Sequence, residues 1–175
     1  AVAELVTTMV IGDAMDPETQ MGPMASKTHR ERVEAYIVTG KTEAKLIAGG
    51  GRPKNAPQGW FVEPTVFTDV ANDAVISREE IFGPVLSIIP YEGEDEAISL
   101  ANDSEFGLGG SVWSADSEHA LKVAKQVNCG TVGINGYVPS IGAPFGGVKG
   151  SGIGRELGPE AVDNYQSLKS TYIMS

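Results

Sequence analysis

Segments with helix-like and strand-like apolar patterns alternate along this chain, and that alternation most constrains its fold. Residues 26–39 place apolar side chains at helical spacing and stop at Gly40, and residues 44–48 have the pattern of a short strand. The next apolar run, residues 60–67, is rich in β-forming residues but contains Pro64. Because proline cannot donate to a ladder, this run predicts an edge strand or a mixture of loop and strand.

The second half of the chain repeats the alternation. It has strand patterns over residues 85–91, 111–114 and 131–135, an acidic helix start at residues 93–96, and a further helix that Asp116 or Ser117 can cap and Gly130 ends. Strands separated by helices of this length favour parallel pairing with right-handed crossovers. We therefore expect an α/β fold with an open, mostly parallel sheet flanked by helices.

A glycine- and proline-rich stretch, residues 136–158, follows the last of these strand patterns. Loops of this length in compact domains usually carry function, so we expect a binding loop here. A short helix over residues 159–165 and a strand-like run over residues 168–174 close the sequence. No hairpin partner precedes that run, and an unpaired strand edge is a template for pairing with another chain.

Composition and charge exclude several classes of function. The 175 residues are 41% apolar and 21% charged, which is typical of a globular domain, and no apolar run of about 18 residues predicts a membrane span. A formal net charge of −10 argues against nucleic acid or an anionic membrane as a partner. The single cysteine, Cys129, excludes a disulfide framework and a multi-cysteine zinc site, so we expect no metal and a reducing, cytoplasmic location. The start at Ala1, with no signal-peptide pattern, indicates a fragment.

The first candidate site is the turn ahead of the strand pattern at residues 85–91. It contains Glu79, Glu80 and Phe82, and Gly83 sets the turn together with the proline after it. Ligands of open α/β sheets bind beside strand ends, so a carboxylate here could accept hydrogen bonds from a ribose diol. The alternative is an ordinary solvated glutamate.

The second candidate site lies in the glycine-rich loop. Phe145 is surrounded by small residues that allow close approach of a ligand, or else it is an aromatic plug of the core. The glycines of residues 150–154 have G-x-G-x-G spacing and no strand directly before them, so they do not match a dinucleotide-binding loop. His29 and His119 lie in predicted helices with charged neighbours and are expected to be solvated rather than catalytic.

These segments resemble, in order, the motifs of the aldehyde dehydrogenase superfamily. The hallmark E-E-I-F-G-P-V is present unchanged at residues 79–85. Further matches are residues 12–23, P-T-V at 64–66, A-N-x-x-x-F-G-L at 101–108 with Phe106 for the usual tyrosine, G-T-V-x-x-N at 130–135, and P-F-G-G-x-K-x-S-G-x-G-R-E at 144–156. The resemblance covers essentially the whole chain. Ala161, where the family usually has glycine, is a second departure.

The resemblance implies a cofactor site and a substrate pocket. Glu80 is expected to hold the ribose next to the nicotinamide of NAD or NADP, with Phe82 packed beside it and Glu79 as the adjacent alternative. Phe145 is expected to line the aldehyde tunnel. The loop before it would shape that pocket with four residues: Tyr137, Val138, Pro139 and Ile141. Their apolar character favours a hydrophobic aldehyde.

The same resemblance places the catalytic cysteine, the general-base glutamate and most of the dinucleotide-binding domain upstream of this chain. No residue here is therefore assigned a catalytic role, and Cys129 does not match the nucleophile. We expect residues 1–167 to be part of the catalytic domain, and residues 168–175 to be the oligomerisation strand of a homodimer or homotetramer. Lys149 or Arg155 is expected to form an ion pair with a nearby carboxylate.

The implied activity of the parent protein is NAD(P)-dependent oxidation of an aldehyde to a carboxylic acid through a cysteine thioester. The chain alone is predicted to be inactive. Two alternatives stay open. One is a CoA-acylating or phosphorylating member of the superfamily, and the other is a non-catalytic relative that keeps the fold for binding or structure.

Overall fold

The computed structural model describes residues 1–56 and 58–174, which form two compact units. The first unit is Ala1–Tyr91 and the second begins at Glu92. The α/β class and the predominance of parallel strand pairs are confirmed, with the strands divided between a three-stranded and a two-stranded sheet. No helix in the described part of the chain has the length and apolar character needed to cross a bilayer.

The first unit has a mixed sheet, two helices that precede it in the sequence and one helix between its second and third strands. In chain order its elements are α1 (Val2–Thr8), α2 (Lys27–Glu43), β1 (Lys45–Ala48), β2 (Thr65–Thr68), α3 (Val75–Arg78) and β3 (Val85–Ser87). The strand order is β1-β2-β3, with β1 antiparallel to β2 and β2 parallel to β3. Thr65 lies opposite Val85, so the turn that leads into β3 lies beside the start of β2.

Helix α2 is longer than its sequence pattern predicts. Ser26 caps it, since its Oγ accepts the His29 N–H at 3.1 Å, and the helix continues through Gly40 to its last residue, Glu43. The prediction that Gly40 ends the helix is wrong, because Gly40 makes room for a neighbour. A Cβ at this position would lie 2.7 Å from Cζ of Phe67.

Pro64 lies directly before β2, outside any strand. The predicted mixture of loop and strand is confirmed, since residues 61–64 have no regular structure and β2 begins at Thr65. The alternative of an edge strand is wrong, because β2 is the central strand of its sheet. The first residue of β2, Thr65, donates its N–H to the Pro84 carbonyl oxygen at 2.8 Å. The N–H that proline lacks therefore falls just outside the ladder, where its absence costs no strand hydrogen bond.

The core of the first unit is built from α2, β2, α3 and their connecting segments. Its buried residues among those described are Val33, Ile37, Val62, Phe67, Val70, Ala74, Ile76 and Ile81. Ile81 joins this core from the turn before β3. That turn is therefore anchored at its middle by an apolar side chain.

The second unit contains one parallel strand pair. Its elements are α4 (Glu94–Asn102), β4 (Gly109–Val112), α5 (Ser117–Ala124), β5 (Thr131–Ile134) and two 3₁₀ helices, Lys149–Ser151 and Pro159–Tyr165. Strands β4 and β5 pair in parallel, with Gly109 opposite Thr131. This is the arrangement expected of two strands joined through a helix.

The structure tests the predicted start and the predicted end of α5. Asp116 rather than Ser117 is its cap, because Asp116 Oδ1 accepts the N–H groups of Glu118 and His119, each at 3.0 Å. The prediction that Gly130 ends α5 is wrong, since the helix ends at Ala124. Gly130 instead begins the approach to β5, and its N–H donates to the Gly107 carbonyl oxygen at 3.0 Å.

The end of the chain carries apolar side chains without regular secondary structure. Residues 168–174 take part in no β-ladder with any described residue. Leu168 is fully exposed, and Tyr172, Ile173 and Met174 are nearly so. The strand expected over 168–175 therefore stays a prediction that needs a second chain, and Ser175 lies outside the described residues.

Candidate cofactor and substrate sites

The first candidate site is the turn of residues 79–84, which joins α3 to β3. Phe82 has a φ of +52°, in the left-handed region that side chains other than glycine seldom adopt. Gly83 follows with no space for a side chain, because a Cβ would lie 2.5 Å from Cγ2 of Val33. The turn therefore packs its backbone directly against α2, which explains the glycine of the motif.

Side chains of α2 bind the backbone of this turn. Arg32 donates from Nη2 to the Glu80 carbonyl oxygen at 2.6 Å and from Nη1 to the Ile81 carbonyl oxygen at 3.0 Å. His29 Nε2 hydrogen-bonds the Phe82 carbonyl oxygen, and it is the donor because a carbonyl only accepts. The expectation that His29 is merely solvated is wrong, since its half-buried ring has a specific backbone partner.

The two glutamates of the turn differ in their surroundings. Tyr36 donates its hydroxyl to Glu79 Oε2 at 2.5 Å. The Glu80 carboxylate is exposed and has no hydrogen-bond or ion-pair partner in the described part of the chain. The Phe82 side chain is 71% exposed. Glu80 and Phe82 are therefore open to a ligand, whereas Glu79 is held by the protein itself.

The second candidate site is the loop after β5, in the second unit. Tyr137 Oη lies 2.6 Å from Thr131 Oγ1, within hydrogen-bond distance. A Cβ at Gly109 would lie 2.5 Å from Tyr137 Oη, so glycine is needed there to leave room for the ring. Tyr137 thus lies across the first residues of β4 and β5.

Phe145 lies where the loop folds back on itself. It forms an antiparallel bridge with Glu156 through two backbone hydrogen bonds of 2.7 Å each. The Gly158 N–H donates to the Ile141 carbonyl oxygen at 3.0 Å, which extends the contact between the two arms of the loop. This pairing fixes the backbone on which the Phe145 ring is carried.

Exposure separates the residues of this loop. Phe145 is half-buried and is not among the buried core residues, which disfavours its reading as a core plug. Val138 and Ile141 are 90% and 83% exposed, and Tyr137 and Pro139 are exposed too. The loop before Phe145 therefore presents a largely apolar surface.

Lys149 and Arg155 bind backbone carbonyls instead of carboxylates. Lys149 Nζ donates to the carbonyl oxygens of Asn102 and Ser104, at 2.8 and 3.1 Å. Arg155 Nη1 donates to the Gly147 carbonyl oxygen at 2.7 Å. Neither cation has a carboxylate partner among residues 1–56 and 58–174, so the expected ion pairs are wrong. Carbonyls of irregular backbone need donors, and these two side chains supply them.

Asn102 links separate segments of the second unit by hydrogen bonds, a role that the sequence patterns did not predict. Its Nδ2 donates to the Gln126 carbonyl oxygen at 2.8 Å, and its Oδ1 accepts the Asn128 N–H at 2.6 Å. Its own carbonyl oxygen accepts from Lys149. Asn102 therefore joins two of the family-like motifs and the connection between α5 and β5, through its side chain and its carbonyl oxygen, and its role is to hold the second unit together.

Cys129 and His119 do not form a catalytic arrangement. Burial raises the pKa of the Cys129 thiol, although a hydrogen bond from the Thr131 backbone and the charge of Lys149 offset part of that effect. A raised pKa leaves less thiolate, the reactive form, at neutral pH. His119 is exposed and pairs with Glu94. The described residues contain no group of three or more His, Cys, Asp or Glu side chains that could hold a metal ion.

Comparison with known proteins places this chain among aldehyde dehydrogenases along nearly its whole length. The sequence model described as the aldehyde dehydrogenase family matches residues 1–171. The chain is 59% identical over 174 residues to the geranial dehydrogenase of Castellaniella defragrans, which covers 99% of this chain and 36% of that protein. It is 50% identical over 168 residues to a betaine aldehyde dehydrogenase of Rhizobium etli, covering 94% of this chain and 34% of that one.

Solved structures have the same fold. The Mycobacterium tuberculosis aldehyde dehydrogenase complexed with NAD⁺ is 48% identical with a TM-score of 0.92, over 99% of this chain and 37% of that one. The NAD⁺ complex of a Bacillus cereus aldehyde dehydrogenase is 45% identical with a TM-score of 0.93, over 98% and 35%. The chain thus spans about a third of the length of these relatives. It belongs to the aldehyde dehydrogenase family.

Proposed function

We propose that this chain is the part of an NAD(P)-dependent aldehyde dehydrogenase that positions the nicotinamide ribose and shapes the aldehyde entrance. The observation that carries the proposal is the contrast within the turn of residues 79–84. Glu79 is bound by Tyr36, while the Glu80 carboxylate and the Phe82 ring are open. The longer enzyme would oxidise an aldehyde to a carboxylic acid through a cysteine thioester.

The open groups of the turn fit a nicotinamide riboside. A carboxylate has two acceptor oxygens, which match the two hydroxyls of a ribose diol. Glu80 has no competing donor among the described residues, so a ligand need displace only water from it. The exposed Phe82 ring offers an apolar face to a planar ring. NAD is favoured over NADP because the similar Mycobacterium tuberculosis and Bacillus cereus structures are complexes with NAD⁺.

The chemical role of this chain is positioning. When bound, the nicotinamide supplies the hydride acceptor. Glu80 and Phe82 would fix its ribose and ring, because holding reacting atoms in line removes a large part of the entropic barrier. We assign no residue of this chain as nucleophile or general base, and the raised pKa of Cys129 disfavours that cysteine. The chain alone is therefore proposed to be inactive.

The proposed substrate is an apolar aldehyde. Val138 and Ile141 expose apolar side chains in the loop that precedes Phe145. The relative that is 59% identical is a geranial dehydrogenase, and geranial is a long, apolar aldehyde. Betaine aldehyde, which carries a fixed positive charge, is the substrate named for relatives that are 48–50% identical. The apolar loop and the higher identity both favour the geranial-like class.

We also propose that the longer enzyme is a homodimer or homotetramer in the cytoplasm. The exposed apolar side chains of residues 168–174 support assembly, because an extended apolar segment is stabilised by pairing with another chain. The cysteine of this chain, Cys129, is free and half-buried, as is usual in a reducing compartment.

The test is aldehyde-dependent NAD(P)H formation by a full-length enzyme that contains this segment, with the chain alone assayed in parallel. The substrate panel runs from geranial to short aldehydes and betaine aldehyde. A free carboxylic acid formed without added CoA or phosphate supports the proposal. An acyl-CoA or acyl-phosphate product would instead identify the enzyme as a CoA-acylating or phosphorylating member of the superfamily. Turnover by the chain alone that disappears in Cys129→Ser would overturn the assignment of the nucleophile to another segment.

A further inference from the structure

In the turn that carries Glu80 and Phe82, three successive carbonyl oxygens accept no hydrogen bond from a described backbone N–H. Regular structure stops at Arg78, the end of α3, and resumes at Val85, the start of β3. Among the described residues no backbone N–H donates to the carbonyl oxygens of Glu80, Ile81 or Phe82. A segment of this kind keeps one conformation only if side chains supply the missing donors.

Helix α2 supplies those donors from one face. His29, Arg32 and Tyr36 lie at positions i, i+3 and i+7, which share a helix face. Arg32 binds the carbonyl oxygens of Glu80 and Ile81, and its guanidinium lies 5.2 Å from the centre of the Tyr36 ring. A planar guanidinium on an aromatic face is restricted in rotation, which suits it to binding two neighbouring carbonyls.

His29 completes this arrangement at the most constrained residue of the turn. Its Nε2 binds the carbonyl oxygen of Phe82, the residue with a φ of +52°. A left-handed conformation is unfavourable for phenylalanine, and it persists only where surrounding contacts hold it. The hydrogen bond from His29 and the close packing of Gly83 on Val33 are those contacts.

We infer that His29 and Arg32 are positioning residues for the cofactor-facing turn. By donating to three successive carbonyl oxygens of residues 80–82, they hold the backbone in the conformation that leaves the Glu80 carboxylate and the Phe82 ring open. Neither residue needs to touch the ligand for this role. The inference rests on the proposed function, because the turn is taken as the ribose site.

The variants separate loss of the donors from loss of the side chains. Arg32→Met keeps an apolar stem over Tyr36 but removes every side-chain N–H donor. His29→Leu removes the N–H donor of the imidazole ring. Arg32→Lys and His29→Gln each restore a donor. Lys27→Gln is the matched control, since Lys27 is an exposed cation of the same helix whose partner is Glu31.

The first measurement is hydrogen–deuterium exchange of the ligand-free protein. Exchange in the peptide covering residues 79–85 should accelerate about tenfold or more in Arg32→Met and His29→Leu, because the local opening equilibrium shifts. It should stay unchanged in Lys27→Gln and return towards the original rate in Arg32→Lys and His29→Gln. Exchange in the remainder of α2 reports whether the helix itself has opened. Unchanged exchange at residues 79–85 in both donor-deleted variants would overturn the inference.

The second measurement is made on the full-length enzyme. If the competent turn is populated less often, the apparent NAD dissociation constant rises and single-turnover hydride transfer slows, each by about tenfold in Arg32→Met. Hydrolysis of an activated ester such as p-nitrophenyl acetate, which needs a nucleophile but no nicotinamide, should be unaffected. Equal loss in both reactions would show that Arg32 acts on folding only. Faster exchange with unchanged NAD binding would show that Arg32 holds the turn but does not position the cofactor. Either result would overturn the inference.

Failure of the proposed function is distinguishable from failure of this inference. If the unmodified full-length enzyme neither binds NAD nor oxidises aldehydes, the proposed function fails, and the exchange data still decide whether α2 holds the turn. If Arg32→Met does not fold, as judged by circular dichroism, His29→Leu carries the comparison, with His29→Gln as its donor-restoring partner. In an active enzyme, normal NAD affinity and hydride transfer in His29→Leu would then overturn the inference.

Discussion

Tyr36 Oη lies 2.5 Å from Glu79 Oε2, so helix α2 binds the first of the two adjacent glutamates in the turn before β3. The second, Glu80, keeps its carboxylate in solvent without a partner among the described residues. The sequence left the two glutamates as alternatives for a ribose ligand. Their different surroundings favour Glu80, because a carboxylate already engaged by a phenol would have to give up that bond first.

Glu80→Gln in the full-length enzyme should slow hydride transfer more than Glu79→Gln does. Removing the charge weakens the proposed bond to the ribose, and the expected loss in the affected step is roughly 10- to 100-fold. Single-turnover kinetics with saturating aldehyde measure that step directly. A larger loss in Glu79→Gln would show that the ribose ligand has been assigned to the wrong residue.

Phe145→Ala should discriminate between aldehydes by size. Loss of the ring widens the proposed entrance and removes apolar contact area, so KM should rise more for geranial-sized aldehydes than for acetaldehyde. The comparison requires kcat/KM across a series of chain lengths. An equal change for every chain length would make Phe145 a packing residue of the loop.

The order of elements follows from the sequence because local patterns determine it. Apolar spacing predicts α2 and α5, and of the two caps that the sequence allowed for α5, Asp116 is the one observed. The errors arise where a distant contact decides. Gly40 stays inside α2 because the Phe67 ring packs against it, and Pro64 adjoins a central strand because the ladder begins one residue later.

What holds the turn of the candidate site was less predictable than the residues proposed to contact its ligand. The resemblance pointed to Glu80 and Phe82 by motif, but nothing in the motif shows what holds the turn. The donors His29 and Arg32 come from some 50 residues earlier, at separations of 53 and 48 residues from their carbonyl partners. The one signal in the sequence was their polar spacing of three along a helix, which solvated surface faces also show.

Gly83→Ala should destabilise the first unit. The new Cβ would lie 2.5 Å from Cγ2 of Val33, a β-branched side chain in the core that cannot easily move. The expected loss in free energy of unfolding is about 1–3 kcal/mol, typical of overpacking. Gly154→Ala is the control, because nothing lies within 4 Å of a Cβ there. Urea denaturation of both variants measures the difference, and similar losses would refute the packing argument.

Glu34 gives the first unit a specific pH dependence. Its hydrogen bonds from Arg52, together with the nearby charges of Arg52 and Arg30, hold the Glu34 pKa below the ordinary value of 4.5 despite partial desolvation. A carboxyl with a lowered folded-state pKa stabilises the fold above its unfolded pKa, and that stabilisation is lost as pH falls through the folded pKa. The Tm gap between the unmodified protein and Glu34→Gln should therefore be largest near neutral pH.

Thermal melts of the two proteins from about pH 7 to about pH 3 test this dependence. The gap should narrow once the pH falls below the ordinary carboxyl value of 4.5, and Arg52→Gln should show the same closure, since it removes the other partner. A gap that stays constant down to the lowest pH would mean that Glu34 stabilises the unit by packing instead of by charge.

Deleting residues 170–175 from the full-length enzyme should lower its oligomeric mass before it disturbs its secondary structure. Residues 168–174 expose apolar side chains and make no ladder with any described residue, so the deletion should remove intersubunit contact and leave both units intact. Light scattering gives the mass and far-UV circular dichroism the secondary structure. Ile173→Ser is a milder companion variant, since it keeps the backbone but removes one of the exposed apolar side chains. Ile173→Ser should weaken assembly less than the deletion does. An unchanged oligomeric mass after deletion of residues 170–175 would show that this segment is not the principal contact between subunits.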